Sequence, residues 1–317
     1  MMFYEVFGGI LQSDIEFPEL PIVGPQRPDW TLTRGSSLAP LTDSVRLGEE
    51  VLAAGVSVGM DRTTDRFRLS FDDTGTFDIA SGGAQIVWVP APHAKAVLVR
   101  SDVLGRVMAI ALHAAGDLCL HGSVAAIGNR AVVLVGPKRH GKSTLVKALV
   151  ADGARFIADD AARITSNPPR VALGVPTLRL SVDSAHHFGI EEAPSLVGDK
   201  VVLPAHDESK RSEPWIPLDA VYVVNPCRAT PETPAVSRRR LNQLDATLTL
   251  VRQGKCGALL GKEEAGVVLA RANALARQVP VFVLDVARDL SLLSAAAAQM
   301  HAWHAPAPRQ ASQSSSS

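Results

Sequence analysis

The stretch that decides the fold is Ala131–Leu149, AVVLVGPKRHGKSTLVKAL. It opens on the apolar run Ala131–Val135, which reads as a short strand covered on both faces. Gly136, four intervening residues, then Gly141, Lys142 and Ser143 match the GxxxxGK[ST] pattern in full. A helix is expected from about Lys142 to Ala151. Strand, glycine-bracketed loop and helix follow in the order that phosphate binding needs. The glycines let the backbone wrap an anion, the loop N–H groups point at it, and the helix dipole adds to the attraction. In this reading Lys142 reaches the β- and γ-phosphates of ATP, the Ser143 hydroxyl coordinates Mg²⁺, and Thr144 adds a phosphate contact. Pro137, Lys138, Arg139 and His140 fill the loop and enrich its positive field. The nucleotide-binding set is therefore Gly136 to Thr144 without a gap.

Beyond the loop the chain reads RFIADD from Arg155, ending in Asp159, fifteen residues after Thr144, and Asp160. A short strand closing on two carboxylates suits phosphoryl transfer. One carboxylate can hold Mg²⁺ and the other can take a proton from an attacking hydroxyl. Adjacent residues on a strand point to opposite sides, so the pair can divide these roles. Upstream, His121 lies in LCLHGS, at the edge of an apolar strand. By its chemistry it packs as a structural histidine, orients a catalytic carboxylate or contacts the transferred phosphate.

Around this centre strands and helices interleave, which argues for an α/β core. Strands are expected at Leu118–Ile127, Arg155–Ala158, Val201–Leu203, Ala220–Val224 and Val281–Val286. Helices are expected at Ser101–Ala115, Leu241–Arg252, Glu263–Gln278 and Leu290–His301. Residues 1–100 read as β-rich, with a hairpin over Phe67–Ile79 turning at 72–75 and a strand at Gln85–Val89. The expected organisation is a β-rich region over 1–115, a P-loop domain over 116–303, and a Ser/Pro tail over 304–317 that lacks the apolar residues to fold.

Composition sets the outer bounds. The chain has 317 residues, 46% hydrophobic and 20% charged, enough to bury a core. Lys+Arg and Asp+Glu are both 32, so nothing global points to nucleic acid or to an anionic membrane, and any anion site is local. Three scattered cysteines fit neither a disulfide framework nor a zinc cluster, and they suit a reducing cytoplasm. The first residues lack a basic stretch, so they read poorly as a signal peptide. No apolar run reaches about 18 residues, the length of a spanning helix.

The run from Leu120 to Ile164, with its histidine-glycine step, hairpin, P-loop, helix and Ala-Asp-Asp strand end, resembles the HPr serine kinase/phosphorylase family. It is closer still to the HPr-kinase-like relatives, which include kinases of lasso peptides. GVPTLRL at 174–180, DKVVLP at 199–204 and PLDAVY at 217–222 extend the likeness. It is good over about 104–225 and loose over FGGILQSDIEFPELP at 7–21. The resemblance implies a serine kinase fold distantly related to phosphoenolpyruvate carboxykinase, using ATP and Mg²⁺ on a peptide or small-protein serine. It implies that Asp159 is the base, that Asp160 helps Ser143 hold Mg²⁺, and that His121 lies near the catalytic carboxylate. Arg179 and Lys200 become candidates for phosphate or acceptor contacts, against a reading as surface charge. A homo-oligomer becomes plausible. This sequence departs from the family at Thr144, where an acidic residue is usual, in its bulky loop, and in lacking the C-terminal signature of the phosphorylase reaction. HPr as acceptor and phosphorylase activity are therefore not expected.

An ATPase using water as acceptor, a small-molecule kinase, and a non-enzymatic module with a relic loop are the other classes. The intact loop and acidic pair argue against a relic. Arg238-Arg239-Arg240 reads as a solvated face rather than a docking site. His186-His187, and His301 with His304, lack recognised metal-ligand spacing. Trp30, Trp88, Trp215 and Trp303 read as packing.

Overall fold

A computed structural model describes residues 1–53, 55–191, 195–197, 200–205 and 213–305. Asp199 and the serine run of the expected tail lie outside the described residues. The fold is mixed α/β, built on two large sheets and one small one.

The first sheet comprises β1 (Met2–Val6), β2 (Gly9–Ser13), β3 (Ile22–Val23), β4 (Trp30–Arg34), β5 (Val45–Ala53), β6 (Val56–Arg62), β7 (Arg66–Phe71), β8 (Gly75–Ala80) and β9 (Gln85–Pro90). Their order is β3-β1-β2-β4-β9-β8-β7-β6-β5. Strands β7 and β8 form the expected hairpin, with Phe71 opposite Gly75. Alternation along β7 sends Phe67, Leu69 and Phe71 into the core.

The expected helix Ser101–Ala115 is longer and less regular. It comprises α1 (Ala96–Asp102), a π turn (Val103–Val107) and α2 (Met108–Ala114). Gly116, at φ +104°, ends it. Asp102 lies mid-run and accepts from Thr74 Oγ1 at 2.7 Å.

The second sheet carries the P-loop. The expected strand Leu118–Ile127 breaks at His121 into β10 (Leu118–Leu120) and β11 (Gly122–Ile127). β10 pairs with β14 (Ala162–Ser166), whereas β11 pairs with β12 (Arg130–Val135) and β13 (Arg155–Ala158). The break falls at the His-Gly-Ser step of 121–123, between the apolar runs LCL and VAAI. Gly122 permits it, since a Cβ there would stand 2.6 Å from the carbonyl oxygen of Leu134. Strand β15 (Pro169–Ala172) leads to β16 (Thr177–Ser181), α4 (Val182–His187), β17 (Ser195–Val197) and β18 (Lys200–Pro204). The small sheet has the order β16-β18-β17. Then β19 (Trp215–Cys227) lies parallel to β12, and β21 (Val281–Ala287) parallel to β19, with β20 (Val236–Arg240) at the edge.

Both faces of β12 are covered, as its apolar run predicts. Val132 and Leu134 pack with α3 (Lys142–Ala151) and α7 (Leu293–His304). Ala131, Val133 and Val135 pack with α5 (Gln243–Arg252) and α6 (Gly257–Gln278). Helix α7 continues through His304 instead of ending in tail, because His304 bonds Asp219 at 2.5 Å and the Tyr222 hydroxyl at 2.8 Å. Arg238 also departs from a solvated reading. Its guanidinium lies 4.9 Å from the Phe282 ring and 4.4 Å from that of Trp303, and it donates to Tyr222 at 2.8 Å.

The two large sheets meet at α6. Leu259, Leu260 and Val268 belong to the hydrophobic core of the first sheet. Arg62 on β6 and His113 on α2 both bond Glu264 of α6. Backbones touch here: a Cβ on Gly48 of β5 would press on the carbonyl oxygen of Ala258, and one on Gly261 on that of Leu47. Gly48→Ala should therefore cost about 1–3 kcal/mol through enforced separation of β5 and α6. Thermal unfolding checks this, and an unchanged midpoint would show that the contact yields freely.

Candidate functional site

The loop Gly136–Gly141 joins β12 to α3, with Lys142 the first residue of the helix. Three loop residues have positive φ: Gly136 at +138°, Arg139 at +66° and Gly141 at +81°. The two glycines adopt this without strain and allow the chain to curl. The loop is anchored at both ends. Gly136 N–H donates to Gln253 Oε1 at 3.1 Å, and His140 Nδ1 donates to the carbonyl of Val224 at 3.1 Å. The Lys142 ammonium donates to the carbonyls of Gly136 at 2.8 Å and Pro137 at 3.0 Å. Lys142 is buried. Burial lowers its pKa to about 8, with Lys200 adding to the effect and Asp159 opposing it. The Thr144 hydroxyl pairs with that of Ser184 at 2.9 Å.

The acidic pair does split, and its two members have different partners. Asp159 is buried, and its Oδ1 accepts from Ser143 Oγ at 2.9 Å and from Ser123 Oγ at 2.5 Å. Its Oδ2 accepts from the Arg179 N–H at 2.9 Å. Asp160 has φ +71° and faces cations. Its carboxylate lies 2.7 Å from Lys255 Nζ, 3.2 Å from His121 Nδ1 and 3.7 Å from the Arg179 guanidinium. Burial pushes the Asp160 carboxyl up, but Lys255, the His121 hydrogen bond and Arg179 outweigh it and hold the group well below the usual range. His121 also reaches the Asp160 carbonyl at 3.1 Å. The break between β10 and β11 is what turns His121 toward Asp160.

The site opens into one cleft of 1470 Å³. Gly136 to Thr144, Asp159, Asp160, His121, Arg179 and Lys200 are all on its wall. One expectation changes. Asp159, not Asp160, stands beside Ser143. A divalent cation prefers the site with hydroxyl and carboxylate oxygens, and it is repelled where the Lys255 and Arg179 cations already gather.

Ser123, Gln253 and Lys255 escaped the sequence reading as site residues. Ser123 sits in the HGS step, two residues after His121. Gln253 and Lys255 come from the turn between α5 and α6, which docks on β10: His121 N–H donates to the Gln253 carbonyl at 2.8 Å, and Lys255 N–H to that of Cys119 at 2.9 Å. The one local sign is a lysine between Gly254 and Gly257.

No family model matches the chain, and no curated protein matches it. Among solved structures it is similar to the Hpr(Ser) kinase/phosphatase from Coxiella burnetii, at 12% identity and a TM-score of 0.29, over 58% of this chain and 96% of that one. A likeness of that size carries no argument about activity, so the functional case rests on the cleft. No described helix is long and apolar enough to cross a membrane.

Proposed function

We propose that the chain is an ATP- and Mg²⁺-dependent kinase that phosphorylates a serine hydroxyl on a peptide or small protein. The observation that carries this reading is the Ser143 hydroxyl 2.9 Å from Asp159, in the same cleft as the P-loop lysine and Asp160. Ser143 and Asp159 supply the hard oxygen donors that Mg²⁺ takes, and the ion's contribution would be to neutralise phosphate charge. Lys142 and the loop N–H groups would hold the β- and γ-phosphates. The acceptor oxygen attacks the γ-phosphorus, the bond to the β–γ bridging oxygen breaks, ADP departs, and the hydroxyl proton passes to Asp160. A carboxylate held ionised by Lys255, His121 and Arg179 serves because proton transfer comes late in a loose transition state. His121 and Lys255 are positioning residues in this scheme, since both act through Asp160.

The test is intact-mass spectrometry of candidate peptides incubated with the protein and MgATP, with Lys142→Ala in parallel. One added phosphate on a peptide serine, absent with the variant, supports the kinase. Steady ATP hydrolysis with every peptide unmodified would replace it with the ATPase reading.

Lys142 also predicts a pH dependence. Its ammonium loses its proton above about pH 8 in the free protein, and only the charged form attracts phosphate. Nucleotide affinity should thus be flat from pH 6.5 to 7.5 and fall by up to about tenfold per pH unit above 8. Titrations across pH 6.5–9.5 check this. Lys142→Arg, which stays charged, should flatten the profile, and an identical decline in that variant would assign the titration elsewhere.

A further inference from the structure

The cleft is larger than its phosphate loop, and its parts differ. One part is walled by Val286 and Ala287 at the end of β21 and by Arg288, Asp289, Leu290 and Leu293 beyond it. Another is walled by Glu50 of β5, by Gly105 and Arg106 of the π turn, and by the first residues of α6. This second part opens beside Asp160. Lys255 holds Asp160, and the next residue, Cys256, donates from its Sγ to the Arg106 carbonyl at 3.9 Å. Asp160, the proton acceptor of the proposed reaction, is linked to this part through Lys255 and Cys256, which makes it the approach for the hydroxyl to be phosphorylated.

Its electrical character is set by a forked ion pair. Arg106 donates to Glu50 through Nε at 3.0 Å and through its terminal nitrogen at 2.7 Å. Both side chains remain partly open, at 24% and 31% exposure. Lys138 and Lys255 add their fields at Glu50. Over the whole cleft wall there are nine Lys or Arg and five Asp or Glu, in a chain whose formal net charge is zero. ATP with its Mg²⁺ carries roughly two negative charges and leaves the wall positive. A carboxylate entering here can compete with Glu50 for the Arg106 fork, and that planar fork matches carboxylate geometry.

Resting on the kinase reading, we propose that the N-terminal sheet supplies the acceptor site: the part of the cleft between Glu50, Arg106 and α6 binds a peptide whose serine is flanked by carboxylates. Arg106 is the attracting residue and Glu50 its internal competitor. Gly105 leaves the wall open, since nothing lies within 4 Å of a Cβ built on it.

The experiment is fluorescence anisotropy with three labelled peptides, each with one central serine flanked by Asp, Ala or Lys, in Mg²⁺ and a non-hydrolysable ATP analogue. The Asp peptide should bind at least about tenfold tighter than the Ala peptide, and the Lys peptide weakest. Glu50→Gln and Arg106→Gln then separate recognition from structure. Both delete the same ion pair, so a purely structural role moves both in the same direction. The proposal expects opposite signs, with Glu50→Gln tightening the Asp peptide severalfold and Arg106→Gln abolishing the preference. Equal binding of the three peptides, or a parallel loss in both variants, would overturn it. Titrating the analogue alone keeps the two readings apart. No analogue binding by the unaltered protein sinks the kinase reading and this one with it, whereas analogue bound without peptide preference sinks the acceptor site alone.

Discussion

Lys142→Ala is expected to weaken MgATP binding by about 100-fold or more and to take phosphotransfer below detection. The Lys142 ammonium is buried and rests on two loop carbonyls, 2.8 and 3.0 Å away. Turning it to a phosphate exchanges neutral acceptors for charged ones in a partly desolvated site. Hydrogen bonds to charged groups contribute about 1.5–3 kcal/mol each, and two of them reach the factor stated. The fold should survive, because alanine is the best helix former and Lys142 opens α3. Removing a buried charge also relieves the penalty that lowers its pKa. The checks are calorimetric titration with MgATP and a thermal melt on the same sample. Tight binding by a folded Lys142→Ala protein would show that the loop is not the phosphate site.

The second large effect is a division between Asp159→Asn and Asp160→Asn. Asp159 shares one carboxylate oxygen between two serine hydroxyls, one of them the P-loop Ser143. Its amide replacement keeps the shape but loses the charge that a divalent ion needs, so nucleotide binding should lose its Mg²⁺ dependence. Asp160 stands off the loop among Lys255, His121 and Arg179. Asp160→Asn should leave MgATP affinity within a few fold and lower the transfer rate by about 10²–10⁴, the span of a general base. Nucleotide titrations with and without Mg²⁺, beside single-turnover transfer, read both effects. Full transfer by Asp160→Asn would remove it as the base, and retained Mg²⁺ dependence in Asp159→Asn would remove that residue from the metal site.

The legible part of the site was local. The P-loop, the strand before it and the helix after it are consecutive, so Ala131–Ala151 carries its own geometry. Alternation gave the β7–β8 hairpin for the same reason. The adjacency of Asp159 and Asp160 pointed to two environments but not to which residue has which. That depends on Ser123, Arg179 and Lys255, which lie 36 residues upstream, 19 downstream and 95 downstream of their respective partners. No local pattern encodes such distances. The His-Gly-Ser step at 121–123 interrupts the apolar residues but does not by itself dictate a break, which comes from pairing with β14 on one side and β12 on the other. The parallel insertion of β4 between β2 and β9, and the docking of β5 on α6, are likewise products of long-range packing.

The most direct test of the account is a crystal structure of the protein with Mg²⁺ and a non-hydrolysable ATP analogue. The account predicts the β- and γ-phosphates on the N–H groups of Gly136 to Thr144, the ion between Ser143 Oγ and Asp159, and Asp160 facing the open side of the γ-phosphate. A nucleotide bound elsewhere, or an ion held by Asp160 with Asp159 still capped by its two serines, would contradict it.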